Sequence, residues 1–165
     1  MKRLLTLIIA VIISAGAFTA EAQSTRYHGE LNIAGCYGIG DLPLNRLQVQ
    51  TIHGARVGEC FSAGVGLGAD WYTSDFDSGI LMIPVFADFK LYAPTSSGFD
   101  PYLMVDLGYS ICAEETQIGG LMVGAGLGFK AGVFNLSLGY HLQQLGTQGV
   151  SIDLGALQLK LGLAF

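Results

Sequence analysis

The chain has 165 residues, a formal net charge of −5, 51% hydrophobic residues and 24 glycines, which fits one domain but not an ordinary soluble fold. Thirteen acidic against eight basic residues argue against nucleic acid as a partner.

Residues 1–22 have the pattern of a secretory signal. Lys2 and Arg3 precede a mostly apolar run from Leu4 to Ala17, and Ala20-Glu21-Ala22 gives the small-x-small cleavage site before Gln23. No cysteine stands at that site, so ordinary signal peptidase is expected to suffice and no lipid-modified N-terminus is implied. Taking away Lys2, Arg3 and Glu21 leaves six basic and twelve acidic residues, a formal charge of −6 for residues 23–165. Beyond the signal, no apolar run approaches the roughly 18 residues that a membrane helix needs. A membrane-spanning form must therefore use strands, and only a closed barrel satisfies every backbone polar group in lipid.

Eight segments of alternating pattern follow, near residues 29–39, 46–57, 59–72, 81–92, 99–111, 118–130, 132–143 and 151–165. The clearest pair is Ile83 to Tyr109. In its first arm Ile83, Val85, Ala87, Phe89 and Leu91 share one face while Asp88 and Lys90 share the other. In the second, Leu103, Val105, Leu107 and Tyr109 oppose Asp106. Joined by a turn over Ala93 to Gly98, the arms are expected to pair Lys90 with Tyr102 and Phe86 with Asp106.

The connections differ in character. Those around Gly40 to Asn45, Thr73 to Gly79, Ala113 to Gln117 and Gln144 to Val150 are polar loops, whereas the second and sixth are tight turns. In an outer-membrane barrel with both termini in the periplasm, the odd connections face outward and the even ones inward.

Aromatics separate a membrane barrel from a soluble sandwich. On the apolar parity Tyr37, Trp71, Tyr109 and Tyr140 lie at one end of the strands, and Phe61, Phe89, Phe99, Phe129, Phe134 and Phe165 at the other. Val65, Leu67, Val85, Val105, Val123, Ala125, Leu136, Leu159 and Leu161 lie between them. Two aromatic rows enclosing an aliphatic band mark a lipid-facing wall. Phe86, Tyr72, Tyr92 and Tyr102 fall on the opposite parity.

That parity would fill the lumen with Glu30, Asn32, Gln48, Gln50, Arg56, Asp70, Asp88, Lys90, Asp106, Lys130, Asn135, Ser137, His141, Gln158 and Lys160. Eight strands leave room for little besides side chains. Glycines on strands three and six (Gly64, Gly66, Gly68, Gly120, Gly124, Gly126, Gly128) are expected to make space for long charged chains. Lys90, Arg56 and Lys160 are the expected counter-charges to Asp88 and Asp106.

From residue 23 to 165 the chain resembles the porin-family outer-membrane β-barrels of the small OmpA/OmpX type. The resemblance is carried by Thr51-Ile52-His53-Gly54-Ala55-Arg56, by Gly64-Val65-Gly66-Leu67-Gly68 with Asp70, by the Ile83 to Tyr92 strand with its PVFADFK core, and by the terminal strand. Leu157 to Phe165, alternately hydrophobic and closing on an aromatic, looks like the assembly signal of such barrels, with Leu163 where the family often has tyrosine. The resemblance implies an all-β, eight-stranded antiparallel transmembrane β-barrel in the bacterial outer membrane, surrounded by its lipid. It also implies recognition by the barrel-assembly machinery and a structural or surface-interaction role, with any extracellular ligand meeting the outer loops. The alternatives are a narrow passive channel, a lipid-modifying barrel enzyme and a soluble exported barrel.

Candidate chemistry is sparse. Thr51 and His53 share a face at a spacing open to a nucleophile and base, but the sequence offers no third group to orient the imidazole. His141 reads as an interior hydrogen-bonding partner near the outer mouth, and His28 as exposed at the start of strand one. Asp75-Phe76-Asp77-Ser78 alternates oxygens as divalent-ion loops do, but reads as a solvated turn, as do Glu114 and Glu115. Cys36, Cys60 and Cys112 are an odd number, leaving at least one thiol unpaired within the monomer, and show no metal-ligand spacing. No residue is assigned as catalytic, cofactor-binding or metal-ligating.

Overall fold

A computed structural model of the chain describes residues 25–40, 43–73, 79–114, 118–147 and 150–165. Eight strands run in sequence order: β1 (Thr25–Ile39), β2 (Asn45–Val57), β3 (Phe61–Thr73), β4 (Ile80–Tyr92), β5 (Phe99–Cys112), β6 (Gly119–Ala131), β7 (Phe134–Thr147) and β8 (Val150–Ala164). Each pairs antiparallel with its neighbours, and β8 pairs with β1, closing the barrel. The largest departures from the expected boundaries are at β1, which begins four residues earlier, and β7, which runs four residues further. The signal segment lies outside the described residues, as do Asp75 to Ser78 and Glu115.

The turns explain the closures at one end. Gly58 and Gly132 have φ of 61° and 60°, a left-handed conformation that a side chain resists, and each allows its strand to reverse within a few residues. The β4–β5 connection is held differently. Thr95 donates its N–H to Asp100 Oδ1 at 2.9 Å and its hydroxyl to the Phe99 carbonyl at 2.7 Å, while Ala93 N–H meets the Pro101 carbonyl at 2.8 Å. Closure at this point sets the register two residues away from the expected one. Asp88 faces Asp106, Lys90 faces Met104 and Phe86 faces Gly108, so the pairings Lys90–Tyr102 and Phe86–Asp106 are not formed. An even shift leaves every residue on its own face.

The wall is apolar outside and polar inside. Tyr37, Trp71, Tyr109 and Tyr140 are exposed at the end bearing the longer connections, and Phe99, Phe134 and Phe165 at the other, where Phe99 stacks on Phe129 at 4.4 Å between ring centroids. Tyr27, not included in the expected row, stands 6.5 Å from Phe165 and joins the second girdle. Val65, Leu67, Val85, Val105, Leu159 and Leu161 are exposed between them. Such a surface is stable only against lipid.

Candidate functional site

Closed barrels face alternate side chains of every strand inward, and here interior side chains from distant strands meet. The lumen is filled in tiers. At the end bearing the longer connections Tyr72, Met82, Cys112 and Leu154 form a buried cluster, with Leu44, Ile118 and Leu145 packed on it. Beneath it Arg46 donates to Tyr72 Oη at 2.7 Å and meets His141 Nδ1, and Gln48 Nε2 donates to Asp70 Oδ2 at 2.7 Å. His141 is fully buried, matching its expected interior role.

The central tier is ionic. Lys90 Nζ reaches Asp88 Oδ1 at 2.8 Å and Glu30 Oε1 at 3.0 Å, and Lys160 Nζ reaches Asp106 Oδ2 at 3.0 Å. His28 Nε2 stands 2.8 Å from the same Glu30 oxygen, and Asn32 Nδ2 donates to Glu30 Oε2 at 3.2 Å. His28 is thus buried, contrary to its expected exposure: its parity is that of Glu30, and the four-residue extension of β1 carries it into the lumen. Two of the three expected counter-charges serve the aspartates. Arg56 does not. Its guanidinium lies 4.2 Å from the centroid of Tyr92 and donates to the Glu59 carbonyl at 2.6 Å. Glu30, expected only as an interior residue, is the third carboxylate of the network.

The buried charged residues among those described are Glu30, Asp70, Asp88 and Asp106 against Arg46, Arg56, Lys90 and Lys160, a balanced set. Burying that many ions is tolerable because the lysines meet carboxylates while Arg46, Arg56 and Asp70 meet neutral hydrogen-bonding partners. Space for them comes only partly from glycine, and here the expectation needs correcting. A Cβ at Gly124 would crowd Asp106 and His141, but one at Gly66 would fall inside the Phe86 ring, one at Gly128 against Tyr102 and one at Gly126 against Met104. Aromatic and thioether side chains take most of the room beside the glycines, because they supply apolar packing where backbone alone lines the lumen. Tyr92 and Tyr102, 5.3 Å apart, close the other end with Met104.

On the outer wall Thr51 and His53 do share a face, and a third group joins them. Thr51 Oγ1 lies 3.0 Å from His53 Nε2, and Tyr27 Oη 2.6 Å from His53 Nδ1. Cross-strand pairing of His53 with Gly29 and of Tyr27 with Ala55 brings the phenol diagonally alongside the imidazole. A sequence reading within one strand misses a partner 26 residues away. Backbone N–H groups here are committed to the ladder, so the chain of three groups has no evident donor pair for an oxyanion.

Glu114 is exposed, and Cys36, Cys60 and Cys112 are all free thiols, with Cys36 and Cys112 buried. Cys36 donates to Gln48 Oε1 at 3.1 Å, the part of a small buried donor. Among the described residues no group of His, Cys, Asp and Glu is arranged to hold a metal ion.

No family model matches the chain, and no curated protein matches it. Solved structures do. Neisserial surface protein A aligns with a TM-score of 0.65 at 14% identity, covering 86% of this chain and 98% of that one. The outer membrane enzyme PagL aligns at 0.63 with 7% identity, covering 81% and 98%, and the outer membrane protein OprG from Pseudomonas aeruginosa at 0.53 with 12% identity, covering 84% and 95%. Identities this low speak for the fold. That fold, a closed eight-stranded antiparallel barrel, is the one this chain shares with these outer-membrane proteins.

Proposed function

We propose that the protein is a structural or surface-interaction barrel of the bacterial outer membrane, exported through residues 1–22, with a lumen that does not conduct. The observation that carries this reading is the filled interior: Lys90 and Lys160 bridge three carboxylates across the lumen, and the Tyr72 cluster covers them on the side of the longer connections. A passive channel needs a continuous polar path, and these side chains occupy the one available cross-section. Outward contact then falls to the polar loops, the only part of such a barrel open to an extracellular ligand. The C-terminal strand, ending on an exposed Phe165, suits recognition by the barrel-assembly machinery.

Planar-bilayer recording of the purified protein tests the reading. We expect no stable single-channel steps; large ohmic steps would replace it with the channel. Density-gradient fractionation, with gel migration before and after boiling, tests location, and recovery only in the periplasmic fraction would count against the membrane.

The Tyr27–His53–Thr51 chain favours a second reading, an enzyme acting on lipid esters at the lipid-facing wall. Release of fatty acid from lipid vesicles by the wild type, abolished in His53→Ala, would establish it, and its absence from both would leave the structural role.

A further inference from the structure

Directly opposed like charges on one face of a sheet repel unless a counter-ion lies between them. Among the described residues there are two such pairs. Asp88 faces Asp106, and Lys90 and Lys160 neutralise them. Arg26 faces Arg56 across β1 and β2, at the end where the tight turns lie. For these two the described residues supply no such neutraliser.

Among the described residues no acid at that mouth forms an ion pair with Arg26 or Arg56. Among the described residues the ion pairs are His28–Glu30, Lys90–Glu30, Lys90–Asp88 and Lys160–Asp106, and none includes Arg26, Arg56 or Lys130. Glu30 is taken by Lys90 and His28. Asp100 stands opposite Lys130 in the β5–β6 register, but its Oδ1 accepts the Thr95 N–H at 2.9 Å. Glu59 offers Arg56 its backbone carbonyl from the β2–β3 turn. Lys130, near the end of β6 beside the turn at Gly132, belongs to the same mouth as Arg26 and Arg56, which are paired at the end of β1 and β2 beside the turn at Gly58.

Arg56 is also held as a receptor group is held. Only 3% of it is exposed, its guanidinium carbon stands 4.2 Å from the Tyr92 ring centroid, the Glu59 carbonyl accepts from one edge, and its buried Nε has no partner. Ser62, which faces Arg56 on the other side, is buried. Arg26 is exposed and Lys130 partly so, leaving both free to close over an incoming group. Two planar forks and an ammonium at one mouth suit a compact polyanion with acceptor oxygens on several sides, which describes phosphate better than a planar carboxylate.

We propose that Arg26, Arg56 and Lys130 form a phosphate-binding site at this mouth, occupied by a lipid headgroup phosphate of the adjoining leaflet or by free phosphate. The site goes beyond the structural reading and borrows from it only the compartment, the periplasm. It is independent of whether the lumen conducts.

The test uses the full barrel folded in maltoside micelles, titrated with inorganic phosphate by calorimetry at constant ionic strength with chloride as control. In parallel, the protein is extracted from phosphatidylcholine vesicles with and without phosphatidylglycerol, and retained lipid is read by native mass spectrometry. Saturable phosphate binding identifies the free anion, and selective retention of phosphatidylglycerol identifies the headgroup. In either case Arg26→Gln/Lys130→Gln, which changes only accessible side chains, should weaken the interaction by about tenfold or more, as loss of two charge-assisted contacts implies. Arg56→Lys should weaken it while the boiled-against-unboiled gel shift stays intact. Absence of both kinds of binding, or binding unchanged in the double variant, overturns the proposal.

Discussion

Asp88 and Asp106 stand directly opposite one another across β4 and β5, and the barrel keeps both by bringing a lysine to each from a different direction: Lys90 from two residues along the same strand, Lys160 from β8 across the lumen. The pair makes the interior a single electrostatic unit. Lys160→Met therefore leaves Asp106 as a buried carboxylate without its cation, a loss of about 3 to 5 kcal/mol if the site is dry and less if water enters. Urea unfolding in lipid vesicles measures it. Lys160→Met/Asp106→Leu should recover most of that loss, because no charge is then stranded.

A second prediction separates the two faces of the wall. Val105 is exposed on the lipid side in the middle of β5, so Val105→Arg should lower the folding free energy in vesicles by about 2 to 4 kcal/mol if it sits at the bilayer midplane. Gly124→Arg, facing inward beside Asp106 and His141, should act through crowding and prove insensitive to bilayer thickness. An unchanged stability for Val105→Arg would reverse the facing of the strands.

A third concerns the glycine beside Phe86. Gly66→Ala puts a methyl where the Phe86 ring lies and should destabilise by about 1 to 3 kcal/mol, the usual range for overpacking. With Phe86→Leu in the background the same change should cost much less. Additive effects in the double-mutant cycle would show that the ring does not occupy that space.

A fourth concerns the chain end. Phe165 exchanges backbone hydrogen bonds with Gly29, at 2.8 and 2.9 Å, and exposes 65% of its surface to the lipid side. Deleting it should reduce the fraction of folded protein in cells more than it reduces the stability of molecules that have folded. Equal surface levels, read by the unboiled gel band, would separate the residue from assembly.

What could be read in the sequence follows from what is local. The facing of Asp88, Lys90, Val85 and Val105 depends on alternation alone, and a strand cannot change it without turning its whole pattern over. The partners of those residues depend on where a connection closes, which Thr95 and Asp100 decide through side-chain bonds that alternation does not encode. His28 lies in the lumen because β1 continues beyond its clearest alternating stretch. Tyr27 reaches His53 from the neighbouring strand, a contact that alternation within one strand does not encode.

The closure of β4 on β5 also bears on how the chain finds its form. A slip of one residue would drive Asp88 into lipid and is rejected at once, but a slip of two keeps every side chain on its proper face. Misfolded hairpins of that second kind are the true competitors of the native one. They differ from it in which groups meet inside: Phe86 would leave Gly108 for Asp106, and the aspartates would no longer stand together between Lys90 and Lys160. The interior charges thus act as a proofreading step, distinguishing folding alternatives to which the surrounding lipid is blind.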